Sequence, residues 1–177
     1  ADYAIGEFFK KAKASPYWKD TVFLIVADHD IRVRGDSLVP IKHFHIPGLI
    51  LGADIQPKKL TAIASQIDLP VTLLSLMGIE GQHPMTGRDL SSEPSDQLGR
   101  AMMQYNANFA WMEQTKESNQ VVVLREGKAP AHALYDAQNK RLNEVPAPNN
   151  AKALEDRALA NSLLPALLYS EQRLSLI

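Results

Sequence analysis

The sequence predicts an α/β fold followed by a small antiparallel sheet and a terminal helix. Three features carry that expectation. Val22 to Ala27 is an unbroken apolar run rich in β-branched and aromatic residues, the pattern of a strand buried on both faces of a parallel sheet. A helical pattern precedes it across a short loop, which is half of a βαβ unit. Late in the chain, apolar segments alternate with short polar turns, as in an antiparallel meander.

Taken in order, Tyr3, Ala4, Phe8 and Ala12 recur at helical spacing, flanked by Ile5 and Phe9. Lys10, Lys11 and Lys13 fall in the last turn, where they complement the helix dipole, and Ser15-Pro16 ends the helix. After the strand, Ile31 to Ser37 alternates but is polar and carries Gly35, which indicates a loop. Ile46 to Leu51 is a second short apolar run, and Pro47 points to a strand's first residue or an edge. Leu60 to Ala64 fits either a short strand or a helix. Asp68 is expected to cap a helix that has Pro70 in its first turn, a stripe of Val71, Leu74 and Met77, and Gly78 as its stop. Gly81 to Leu90 is rich in turn residues. The polar stretch Ser91 to Gln97 predicts a boundary between a core over 1–95 and a carboxy-terminal subdomain over 96–177.

Beyond it, Leu98 to Tyr105 is ambiguous, while Gln120 to Arg125, Ala131 to Tyr135 and Arg141 to Val145 are predicted strands. Asn150 is placed to cap a last helix with Leu154, Ala158, Asn161 and the Leu163-Leu164 pair inward, and Pro165 is expected to kink or split it.

Composition excludes some functions. The 177 residues carry a net charge of -1, which gives no footing for broad electrostatic binding to nucleic acid. There is no cysteine, so disulfides, thiolate metal sites and a cysteine nucleophile are ruled out. The longest apolar run is far short of a membrane span. Ala1 to Ala4 already read as helix without a signal peptide, and the lack of an initiator Met fits a processed, excised or engineered fragment.

In open α/β sheets ligands bind beyond the carboxyl ends of the strands. Asp28, His29 and Asp30 stand at that end, and carboxylates with an imidazole suit a divalent metal. The plainer reading is that Asp28 caps a turn and His29 is a loop residue. Arg32 and Arg34 are either contacts to a phosphate or sulfate oxygen or two solvated side chains. His43 and His45 share one face if their segment is extended, which makes them either ligands or structural histidines. His83 and Arg88 either reach a site or fix their loop. His132, inside a predicted strand, is a packed or exposed histidine without chemistry.

Tyr3 to Phe9 with Thr21 to His29 resembles the later half of the alkaline-phosphatase superfamily. The similarity is to its sulfatase-like branch of lipoteichoic-acid synthases and phosphoethanolamine transferases. His45-Ile46-Pro47 is similar to that branch's His-Val-Pro, Gln66 to Leu74 resembles its following helix, and Thr86 to Leu90 resembles its Gly-Arg-Asp-Leu loop. The resemblance implies the carboxy-terminal part of an α/β/α sandwich. It also implies a divalent metal, typically zinc or manganese with calcium as a third candidate, held by Asp28 and His29. His45 would be a second-metal ligand or a contact to the transferred group, with Arg32 and His43 as further candidates. The family's Thr, Ser or formylglycine nucleophile would lie upstream, so this chain would hold no catalytic nucleophile and be inactive alone. The substrate would be a phosphate or sulfate ester. The parent would be membrane-anchored, with its catalytic domain periplasmic or extracellular, and an exposed sheet edge would favour self-association. The competing expectation is a non-catalytic α/β binding or scaffold module.

Overall fold

The computed structural model describes residues 2–30, 33–35, 37–92, 94 and 97–174. The chain divides into two compact units. One comprises residues 1–28 and 46–59, the other residues 29–45 and 60–177.

The first unit holds helix α1 (Asp2–Lys13), a 3-10 turn over Pro16–Asp20, and strands β1 (Val22–Val26) and β2 (Gly48–Gly52). Phe23 is the hub of its packing. Its ring meets Phe8, Phe9 and Trp18 at centroid distances of 6.0, 5.3 and 5.4 Å, edge-on to the two phenylalanines and stacked on the indole. Ala12 is fully buried. The Ser15 hydroxyl donates to the Lys11 carbonyl at 2.9 Å, satisfying one of the orphan acceptors at the end of α1.

The central strand lies where the apolar run predicts, but its setting differs from the expectation. It pairs antiparallel with β2, Leu24 opposite Ile50, and each of its residues is half-buried. An apolar run shows only that both faces suit a nonpolar cover. Which strand pairs with it, and in which direction, is set by the long connection from Ala27 to Pro47. Pro47 stands just before β2, and its carbonyl accepts the Ala27 N–H at 3.4 Å.

The second unit is built on a five-stranded antiparallel meander. Its strands are β3 (Arg100–Tyr105), β4 (Asn108–Gln114), β5 (Asn119–Arg125), β6 (Lys128–Asp136) and β7 (Arg141–Val145), paired in chain order. The ambiguous stretch from Leu98 thus holds one further strand, and the segment with Phe109 and Trp111 that follows it holds another. Asn106, at φ +52, makes the turn between them, a left-handed position that asparagine tolerates. The alternation of faces is clearest in β5, whose three central valines are all buried. Val121 and Val123 face a cluster with Val39, Ile41, Met103 and Met112, while Val122 faces Trp111, Leu154 and Ala158.

Helix α3 (Ala151–Ser170) supplies that second cover. Leu154 and Ala158 are buried as expected, but Leu163 is 56% exposed. The helix is one element through Pro165, not split there. Asn150 occupies the cap position without capping through its side chain, which donates instead to Gln120 Oε1 at 3.0 Å. Arg157 clamps Glu113 of β4 with two bonds, Nε to Oε1 at 2.5 Å and Nη2 to Oε2 at 2.8 Å. His132 is packed, as expected, with Nε2 on Glu155 Oε1 at 2.8 Å.

Helix α2 (Asp68–Leu76) belongs to the same unit, and it inverts the expected stripe. Its fully buried residues are Asp68 and Thr72, whereas Val71 and Leu74 are half-buried and Met77 is exposed. Asp68 is the first helical residue, one place past the expected cap. Its carboxylate accepts the Ser65 N–H at 2.8 Å, the Arg88 N–H at 2.8 Å and Arg100 Nη2 at 3.3 Å. A buried carboxylate with such partners outcompetes an aliphatic stripe for the inward side. Gly78 ends the segment at φ +66, with the Ile79 N–H on the Leu74 carbonyl, a Schellman closure. Leu60 to Ala64 forms neither strand nor helix.

The 86–90 loop lies against the start of α2 so closely that a Cβ on Gly87 would stand 2.0 Å from the Ile67 carbonyl oxygen. Gly87→Ala should therefore cost at least ~2 kcal/mol. Gly81→Ala, where a Cβ meets nothing within 4 Å, should stay within ~0.5 kcal/mol. Urea unfolding of the two variants tests the contrast, and equal stabilities would refute the close approach.

Candidate metal centre

Beyond β1 the chain runs through Asp28 and His29, both exposed, to the half-buried Asp30. The strand's pairing with β2 ends at Val26, which releases the following side chains from the ladder. His29 Nδ1 donates to the Asp30 carbonyl at 2.6 Å. That bond fixes the tautomer with the lone pair on Nε2, the nitrogen a metal would take. His43 Nδ1 meets Asp30 Oδ2 at 2.7 Å.

The sequence-predicted residues are therefore brought together only in part. Asp30, named in the polar trio but not as a ligand, orients both histidines, one through its carbonyl and one through its carboxylate. The shared-face argument for His43 and His45 fails, because Ile41–His43 is a 3-10 turn and not extended chain. His45 is exposed. Arg32 lies outside the described residues, and Arg34 and His83 are exposed. Arg88 fixes its loop: Nη2 donates to the Ile63 carbonyl at 3.0 Å and stands 3.6 Å from Asp68 Oδ2.

The metal test is mixed. A carboxylate and an imidazole of fixed tautomer fit a divalent cation in kind. They do not fit in number, since among the described residues no three His, Asp or Glu side chains group closely enough to hold an ion.

Sequence reasoning passed over the residues that shape the 86–90 loop. Arg100 could not be foreseen as a partner of Asp68, because the two are far apart in sequence and β3 was not recognised. Asp89 is more legible, since serines follow it. Burial pushes its carboxyl up, but hydrogen bonds from Ser91, Ser75 and Ser92 outweigh this and hold it down at about 2. Ser91 donates twice to Oδ1, from its N–H at 2.9 Å and its hydroxyl at 2.5 Å.

Residues 1–79 match the sulfatase family. The chain is also similar to a solved structure from Vibrio parahaemolyticus, described as a protein in the alkaline phosphatase superfamily. The two share 44% identity over 99% of this chain with a TM-score of 0.87. The chain belongs to the alkaline-phosphatase superfamily. It spans 41% of the length of that Vibrio protein's chain. Within the superfamily, the sulfatase match covers β1, the Asp28-His29 pair, both later histidines and α2. The mixed α/β architecture, the antiparallel sheet and the terminal helix agree with the fold the sequence predicts.

Asp89 links this loop to acid stability. Its unfolded carboxyl titrates near 3.8 and its folded one near 2. The stabilisation is complete above the unfolded value and is lost as pH falls through the folded one. Thermal melts between pH 5 and pH 2 should show a shallower decline for Asp89→Asn than for the parent; parallel curves would contradict the assignment.

Proposed function

We propose that Asp28 and His29 supply two ligands of a divalent cation in a metal-dependent phosphoryl- or sulfuryl-transfer enzyme. The remaining ligands and a Thr, Ser or formylglycine nucleophile would come from outside the described residues. The observation that supports the reading is the sulfatase match over residues 1–79, which includes this pair at the carboxyl end of β1. Zinc or manganese fits the mixed oxygen and nitrogen donors, and calcium a more oxygen-rich set. A bound cation would supply Lewis-acid stabilisation of charge on the transferred group.

In this reading the chain's own contribution is positional. The Asp30 carbonyl holds His29 in the ligating tautomer, and the Asp30 carboxylate holds His43 for contact with the substrate or a second ion. His45 and Arg32 are further candidates for the same role. The substrate class is a sulfate or phosphate ester. Membership of the branch with lipoteichoic-acid synthases and phosphoethanolamine transferases would place the whole protein at the membrane, with its catalytic domain outside the cytoplasm. Self-association through the two-stranded sheet of the first unit belongs to the same proposal, as does a division into a core over 1–95 and a subdomain over 96–177.

A second reading, a non-catalytic scaffold module, draws on the absence of a third grouped ligand among the described residues.

Titration with zinc and manganese, followed by thermal melting, separates the two. The enzyme reading expects weak saturable stabilisation that falls at least ~tenfold in apparent affinity for Asp28→Asn and for His29→Gln. It also expects no turnover of a nitrophenyl phosphate or sulfate by this chain alone. Equal metal response in parent and variants would defeat the proposal in favour of the scaffold.

A further inference from the structure

Helix α3 is covered on one side. Its buried residues, Leu154 and Ala158, both lie in the first half and meet the meander. Spacings of three and four place Lys152, Asp156, Leu159, Leu163, Leu167 and Ser170 on the opposite side, and all six are exposed. The start of this face is charged, with Lys152 paired to Asp156. From Leu159 onward it is apolar: Leu159, Leu163 and Leu167 are 48%, 56% and 50% exposed. Ala160 and Ala166 flank the leucines with little bulk, which lets another helix come near. Charge returns just past the helix end, where Arg173 Nη1 stands 3.4 Å from Glu171 Oε2. A leucine stripe of helical spacing, closed by an ion pair at each end, has the form of a packing seam that awaits a partner.

The stripe is symmetric about Leu163, and this selects its occupant. A two-fold axis at that point makes the surface complementary to itself. In an antiparallel pair Leu159 meets Leu167 of the second copy, and Leu163 meets its own counterpart. Lys152 then comes within one helical turn of the second copy's Glu171, and Asp156 within one turn of its Arg173, so opposite charges face each other at both ends. The two helix dipoles also oppose each other. A parallel pair would instead set Lys152 against Lys152 and Asp156 against Asp156. The apolar face from Leu159 to Ser170 is about 18 Å long and roughly 10 Å wide. That is well short of the ~800 Å² per partner of a standing interface, so the contact is weak and depends on concentration.

We infer that two copies of this chain associate through α3, antiparallel and two-fold, over the stripe of Leu159, Leu163 and Leu167. The contact uses no residue of the metal reading, and it is distinct from association through the sheet of the first unit.

Sedimentation velocity of the whole chain over roughly 5–500 µM, with a chelator present, is the test. A monomer at low concentration should give way to a dimer, with half-association at roughly 10–100 µM. Leu163→Glu opposes two carboxylates on the axis and should weaken association at least ~tenfold. Leu163 is exposed in the monomer, so an unchanged melting temperature at low concentration shows that the variant folds. The chain has no cysteine, so a single one reports the register. At the upper concentration, mild oxidation should link Leu163→Cys into a dimer and leave Lys152→Cys unlinked. A monomer at every concentration, no link at residue 163, or a link at residue 152 overturns the proposal. Association indifferent to Leu163→Glu also overturns it and assigns the contact to another surface.

Discussion

The Asp68 carboxylate is the constraint on which the second unit depends. It is fully buried, and a carboxylate removed from water is tolerable only when its charge and lone pairs are met. Arg88 and Arg100 bring charge, while the Ser65 and Arg88 N–H groups bring aligned donors. Thr72, one turn on, is equally buried. It donates to the Asp68 carbonyl at 2.8 Å and accepts the Leu90 N–H at 3.0 Å. These two side chains join α2, the 86–90 loop and the first strand of the meander. Such a network adds little net stability over an apolar core. Its value is directional, because each bond has one geometry and the three segments meet in one way. The same demand explains why α2 turns a polar side inward and leaves its aliphatic residues half-covered.

The meander obeys a simpler rule. Alternate residues of β4 and β5 are apolar in both directions, so the sheet needs a cover on each face. α3 provides one through Leu154 and Ala158, fastened at its edge by Arg157 on Glu113. The 38–44 segment provides the other through Val39 and Ile41. That segment also carries His43, so one stretch of chain closes a core and holds a histidine against Asp30.

At the end of β1 the priorities reverse. Asp28 and His29 are exposed, and burial contributes little to holding them in place. The aromatic cluster around Phe23 seats the strand that precedes Asp28, and the Asp30 carbonyl sets the His29 imidazole.

The sequence by itself determined the elements whose signals are local. These are the helix before Pro16, the strand before Asp28, the Gly78 stop, the three later strands with their turns, and the helix after Asn150. It also determined the family, because the order of its short motifs is carried by the chain alone. Tertiary structure alone decided the antiparallel partner of β1, the strand pair hidden in 100–114, the polar inward side of α2 and the bond between Asp30 and His43. The reason is physical: periodicity reports what a face can tolerate, whereas pairing direction, buried charge compensation and convergence of side chains depend on which distant segment arrives there.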